Sequence, residues 1–348
     1  MSLYDAVRDL PLEIDEYELE GLEVQARKDF LRKTTVVHLH GGGEEGIGED
    51  VTYDADLHDL QQERGAVLPC AGSWTLDTFS RHVGGLPLFD PEPERRAYLD
   101  YRRWAFESAA LDLALRQAGV SLGDAVGRKA RPVSFVVSMG LGSPPDPTPV
   151  HAWLELDPCL RFKLDANPEW SEELVADLAA TGAVDSIDLK GQYRGTVVDT
   201  PADPVLYRRV AEGLPTAWLE DPGLTDETIP ILEPHRERVT WDAIIHSVED
   251  IASLVWPPRT VNVKPSRFGS VDRLFAAYDY CEAKGIGAYG GGQWELGPGR
   301  GHIQLLAALF HPDTPNDVAP REYNLGPRPG LPTSPLGVRP RETGFLAL

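Results

Sequence analysis

A chain of 348 residues, 42% hydrophobic and 25% charged, can bury a large core and has the balance of an ordinary soluble globular protein. Its formal net charge of −22 excludes the clustered basic surface that nucleic acid or an anionic membrane would require. No run approaches the ~18 apolar residues of a membrane span. The N-terminus lacks a signal-like apolar segment, and Cys70, Cys159 and Cys281 are odd in number and widely spaced, so a reduced, cytoplasmic protein with buried thiols is expected.

Taken in chain order, LEVQARKDFLRK and TTVVHLH read as extended runs, followed by the glycine-rich, acidic stretch GGGEEGIGEDVTY, read as a mobile loop. From about residue 90 the pattern turns helical, most clearly in YRRWAFESAALDLALRQAG. Ala109, Leu111, Leu113 and Leu115 give that segment a broad apolar face, and Gly119 is placed to stop it. Strands followed by helices predict an α+β capping domain over residues 1–128.

After RKARP the rhythm alternates. Strand-like runs occur at VSFVVSMG, LRFKLD, VDSIDLKG, TAWLED, ERVTWDA, TVNVKP and GIGAYGG. Helical patterns such as SEELVADLAATGA, DPVLYRRVAEGL and SVDRLFAAYDYCEAKG fill most of the intervals. Alternation of this kind implies parallel strands joined by right-handed crossovers. Seven or eight such units predict a closed α/β barrel of TIM type over residues 129–320. The first unit, GSPPDPTPVHAWLELDP, holds too many prolines for a long helix, and the eighth strand is expected near NDVAPREYN. Residues 321–348, rich in Pro and Gly, are expected to pack back on the cap.

Function in such a barrel sits at the C-terminal ends of the strands. Strand two ends in Lys163 and Asp165, two apart and therefore on one face. Strand three ends in Asp188 and Lys190, strand four in Glu220 and Asp221, strand five in Asp242 and strand six in Lys264. The seventh run leads into GAYGGGQWELGPGRGH and supplies Tyr289 and Glu295 as substrate-binding candidates. Carboxylate oxygens on three consecutive strands are hard ligands suited to Mg²⁺, and the flanking lysines can remove and return a proton.

The segments FESAALDLALRQAG, RFKLDAN, SIDLK, WLEDP, TWDA and VNVKPSRFG, in this order behind a capping domain, resemble the enolase superfamily, within it the mandelate racemase/muconate lactonizing group. The resemblance implies metal ligation by Asp188, Glu220 and Asp242. It implies proton transfer by Lys163 and Lys264, with Mg²⁺ as cofactor and a small-molecule carboxylate as substrate; association into a homo-oligomer fits the group. Removing a proton α to a carboxylate creates a dianionic enolate, which a divalent cation stabilises.

The chain departs from the pattern at two places. Where the group has Lys-x-Lys on strand two, this sequence has Lys163-Leu164-Asp165, and where strand three normally carries Asp-x-Asn it has Asp188-Leu189-Lys190. Asp165 and Lys190 are therefore catalytic candidates too. A rival register makes Asp165 in LDANPEW the first metal ligand and VDSIDLKG an insertion. The expected function is a Mg²⁺-dependent lyase or isomerase working through a metal-stabilised enolate, muconate cycloisomerase-like or o-succinylbenzoate synthase-like. Alternatives are a methylaspartate ammonia-lyase-like elimination, suggested by GIGAYGGGQWELG, an acid-sugar dehydratase, a hydrolase binding metal at His38 and His40, and a scaffold that only binds a ligand.

Overall fold

The computed structural model describes residues 2–27, 30–196 and 198–347, with the side chain of Arg27 also left aside. Lys28 and Asp29 of the first extended run lie outside the described residues. The N-terminal part contains β1 (Pro11–Ile14), β2 (Glu16–Arg27), β3 (Phe30–Gly41), β4 (Glu44–Asp50) and β5 (Gly72–Thr75). β2, β3 and β4 form an antiparallel meander, and β1 pairs with β5.

The glycine-rich stretch expected to be a mobile loop is β4 itself. Gly42 and Gly43, both at positive φ, make the two-residue turn that reverses the chain between Gly41 and Glu44. Gly46 and Gly48 then let β4 lie directly on the helix Ala97–Gln117. A Cβ at either would fall 2.2 Å from the Ala109 carbonyl oxygen or 2.0 Å from that of Ala105. The helix is buried along most of its length, from Tyr98 to Leu115, which suits an element packed on several sides. Its Arg102 pairs with Asp50 of β4 at 2.7 Å, with both side chains out of water.

The C-terminal part is a barrel of parallel strands. β6 (Val137–Gly140), β7 (Phe162–Asp165), β8 (Val184–Asp188), β9 (Trp218–Glu220) and β10 (Val239–Thr240) lie side by side in chain order; β11 (Thr260–Val263) pairs with β12 (Gly287–Gly290). Hydrogen bonds join these sheets: the Asn262 N–H donates to the Trp241 carbonyl at 2.9 Å, the Thr240 hydroxyl to the Thr260 carbonyl at 2.8 Å, and the Tyr289 hydroxyl to Glu220 at 2.6 Å. Asn316 and Asp317 close the ring, bridging to Phe135 on one side and Gly291 on the other. The eighth position thus falls within NDVAPREYN, reduced to single bridges. The proline-rich first unit does form a helix, Thr148–Leu156, because Pro149 sits in its first turn, where no backbone N–H is needed.

Near the C-terminus, the Phe345 N–H donates to Asp112 at 2.6 Å, and the Phe345 ring stacks on His302 with centroids 4.3 Å apart. Cys70 and Cys281 are buried and free; Cys159, expected inside, is exposed. Among the described residues no helix is long and apolar enough to cross a membrane.

Two buried histidines tie the fold to pH. Burial pushes His302 down from 6.5 to about 3 and His311 down to about 4. The unfolded chain therefore binds protons that the native state refuses, and their contribution to stability falls as pH drops below 6.5. Each costs up to about 1.4 kcal/mol per pH unit in that window. His302→Leu should lose less melting temperature than wild type between pH 7 and pH 5; equal losses would contradict this.

Candidate active site

Register sets the site. In parallel pairing, Asp165 of β7 lies beside Asp188 of β8, Asp188 beside Glu220 of β9, and Glu220 beside Thr240 of β10. Strand alternation turns Phe162, Leu164, Ile187 and Leu219 toward the surrounding apolar core, and Lys163, Asp165, Asp188 and Glu220 to the other face. Asp242 follows two residues after Thr240. β8 is an integral strand between β7 and β9, so VDSIDLKG forms a barrel unit of its own.

Asp188, Glu220 and Asp242 are wholly buried, and one carboxylate oxygen from each lies within 4.8 Å of the others. Lys163 binds Glu220 and reaches Asp188 at 3.3 Å. Lys190, with φ at 54°, donates to Asp188 at 2.6 Å and lies 3.2 Å from Asp165. Lys264 donates to Asp242 at 2.8 Å, and Arg267 binds the same carboxylate at 2.5 Å as well as the Asp242 carbonyl. Tyr289 donates to Glu220 at 2.6 Å and Tyr193 to Asp242 at 2.8 Å.

Burial and mutual repulsion compete with the surrounding cations across the cluster. Burial and the neighbouring Asp188 and Asp242 push Glu220 up to about 8, against the pull of Lys163. Burial, Asp242 and Asp188 push Asp221 up to about 7. Burial opposes ionisation of Asp242 and Asp188 too, but Arg267 and Lys264 hold the first, and Lys190 and Lys163 the second, below the ordinary carboxylate range. Lys163 remains an ammonium: burial disfavours its charge, and Glu220 and Asp188 outweigh that. Three converging, fully buried carboxylates, two of them held ionised by neighbouring cations, form an oxygen donor set that fits a hard divalent cation.

Cap residues fix the loop after β12. Arg32 is fully buried, and its guanidinium donates to the carbonyls of Val51 and Gln293, both at 2.8 Å, of Thr52, and of Trp294 at 3.2 Å. Glu49 accepts the N–H groups of Leu296, Gly297 and Gly299 at 2.7, 3.0 and 2.8 Å, which places its carboxylate at the start of the helix Gly299–Phe310. Tyr53 donates to the Gln293 side chain, which in turn donates to Tyr101. Of the acidic cap segments, DEYELEG lies at the start of β2, and the end of GEEGIGED, around Glu49, reaches the barrel.

The sequence-derived candidates divide accordingly. Lys163, Asp165, Asp188, Lys190, Glu220, Asp242, Lys264 and Tyr289 come together, whereas Glu295 turns away. Its carboxylate accepts the Gln293 N–H at 2.6 Å and faces Arg300 at 3.2 Å. His38 lies on the cap sheet, bonded to Glu45 at 2.7 Å and Glu20 at 3.3 Å. Sequence reasoning marked Asp221 only as a strand end and missed Tyr193, Arg267, Asn262 and Asp317, the last 3.9 Å from Lys163. Asn262 was legible, since it stands two before Lys264 and so shares its strand face. Its amide is buried and unpartnered among the described residues, beside the space that a Cβ on Gly291 would fill. Tyr193 comes from a loop with no sequence signal.

Two family models match the chain: the domain of unknown function (DUF8230) N-terminal domain over residues 5–125 and its C-terminal domain over residues 129–325. The chain belongs to the DUF8230 family. This DUF8230 chain is 27% identical over 311 residues to an N-succinylamino acid racemase of Thermus thermophilus, covering 85% of this chain and 79% of the relative. It is 24% identical over 335 residues to an o-succinylbenzoate synthase of Bacillus subtilis, covering 88% and 85%. The dipeptide epimerase of Methylococcus capsulatus, solved with Mg and the dipeptide L-Arg-D-Lys, superposes with a TM-score of 0.68 at 17% identity, over 97% of this chain and all of that one. The fold is that of solved enolase-superfamily members, and the sequence relatives of this DUF8230 chain are enzymes, a racemase and a synthase.

Proposed function

We propose that this DUF8230 enzyme is a Mg²⁺-dependent lyase or isomerase that removes a proton α to the carboxylate of a small substrate. The carrying observation is the buried group Asp188, Glu220 and Asp242, with Lys163 and Lys190 on one side and Lys264 on the other. Asp188, Glu220 and Asp242 would hold the cation. Bound there, Mg²⁺ would supply the positive charge that an enolate oxygen needs as it develops.

The chain's own residues take the remaining roles. Lys264, on the sixth strand, exchanges the α-proton. The electron pair left behind moves into the substrate carboxylate. Returning the proton gives isomerisation, and losing a β-substituent gives elimination. Lys163, held as an ammonium, binds substrate charge. Lys190 faces the reaction from the other side, kept in place by Asp165, which stands where the muconate lactonizing pattern has a lysine. Tyr289 orients Glu220. Glu295 is reassigned to holding the loop after β12. Residues 1–128 act as cap, 129–320 as catalytic barrel and 321–348 as a return segment over the cap.

O-succinylbenzoate synthase-like or muconate cycloisomerase-like chemistry is the finer reading, because one sixth-strand lysine suffices for it. N-acylamino acid racemisation is the second reading, favoured by the placement of Lys190 across from Lys264. The hydrolase reading has no support at His38, whose two ring nitrogens are both bonded to glutamates.

Incubation in D₂O with Mg²⁺ and N-succinyl-L-amino acids, dipeptides or muconate, read by mass spectrometry, tests the proposal. Deuterium should enter at the α-carbon of at least one probe, EDTA should abolish it, and Lys264→Ala and Glu220→Gln should each slow it by about 10²-fold or more. Exchange that survives EDTA or the loss of Lys264 would contradict the proposal. Gly291→Ala offers a subtler check, since its Cβ would lie 2.6 Å from the Lys264 Cε. Displacing that amine should cost about tenfold or more in exchange rate while the variant still folds. An unchanged rate would mean that Lys264 does not act from this position.

A further inference from the structure

Asp221 carries the rarest combination of features in the site. It is fully buried, and it is not among the three converging carboxylates. No lysine or arginine pairs with it among the described residues. Its φ of 50° is a left-handed conformation, uncommon for residues other than glycine. A buried carboxylate without a cation is costly unless its oxygens are bonded, and these are bonded to backbone alone. One oxygen accepts the N–H of Asp242 and the other the N–H of Ala243, both at 2.8 Å.

Its main chain is committed as well. The Asp221 N–H donates to the Thr240 carbonyl at 3.0 Å, and its carbonyl accepts the N–H of Gly191 at 2.9 Å. One residue therefore ties together the three strand ends that bear Asp188, Glu220 and Asp242. Gly191 follows Asp188 by three residues, Glu220 is the immediate neighbour, and Asp242 is held directly. Gly191 in turn passes so close to Gly223 that a Cβ there would fall 2.2 Å from the Gly223 nitrogen, so these strand ends have little freedom to drift.

We propose that Asp221 is the positioning residue of the metal centre. It does not touch the cation. It fixes the backbone of Asp242 and the spacing of the strand ends after β8, β9 and β10, so that the three ligand oxygens converge without rearrangement. The inference rests on the metal reading proposed above, and partners of metal ligands of this kind are worth about 10–100-fold in affinity.

The test titrates the full chain with Mn²⁺ alone, by calorimetry and electron paramagnetic resonance, in wild type, Asp221→Asn and Asp221→Gly. Glycine accepts the positive φ without strain, so Asp221→Gly removes the carboxylate while relieving the backbone, and it keeps the test open if the asparagine variant misfolds. The expected result is a Mn²⁺ dissociation constant about 10–100-fold higher in both folded variants. An altered Mn²⁺ resonance spectrum and faster amide exchange at Asp242 and Ala243 should accompany it. Unchanged affinity and spectrum in a folded variant, even one with a lower melting temperature, would make Asp221 a purely structural residue and overturn the inference. Wild type that binds no Mn²⁺ would instead remove the metal reading on which the inference stands.

Discussion

Four carboxylates, those of Asp188, Glu220, Asp221 and Asp242, are buried side by side at one end of this barrel, and much of the surrounding structure answers that constraint. Taking such charges out of water is expensive unless each finds a cation or a set of donors. Lys163, Lys190, Lys264 and Arg267 converge on three of them, and backbone N–H groups serve the fourth. The chain has only seven lysines, and three of them are spent here. That economy is difficult to reconcile with a decorative surface cluster and natural for a centre built to present converging carboxylate oxygens to a divalent ion.

The cap matters to this centre through the loop after β12 rather than through a free lid. Arg32 takes carbonyls from both the cap and that loop, and Glu49 takes the N–H groups that open the following helix. Gly291, at the start of the loop, has no side chain because Lys264 and Asn262 occupy the space. The position of the sixth-strand lysine therefore depends on residues more than 200 positions earlier in the chain. Cap and seventh-strand loop form one wall of the site, and changes in the cap are expected to be felt at Lys264 before they are felt at the triad.

Much of this was legible in the sequence because the signals were periodic. Apolar runs alternating with helical patterns gave the parallel strands, and strand ends gave Asp188, Glu220, Asp242 and Lys264 in the correct order. What failed was chemistry that depends on tertiary contact. The glycines of β4 were read as a loop, yet Gly46 and Gly48 are there to admit a helix against the strand. Glu295 stood in a promising segment but is taken up by Arg300 and its own loop. Asp221 was visible beside Glu220, but its left-handed backbone and its grip on the next strand belong to no local pattern. The eighth strand does fall within NDVAPREYN as expected, but Asn316 and Asp317 close the barrel with isolated bridges rather than a full strand.

The central claim is that Asp188, Glu220 and Asp242 together bind one divalent cation. Crystals grown with Mn²⁺ and measured at a wavelength where manganese scatters anomalously would test it most directly. The account predicts a single strong anomalous peak enclosed by these three carboxylates, with the lysine ammonium groups outside its coordination sphere. A peak at His38 and His40, a peak that excludes Glu220 or Asp242, or no peak at saturating Mn²⁺ would contradict it.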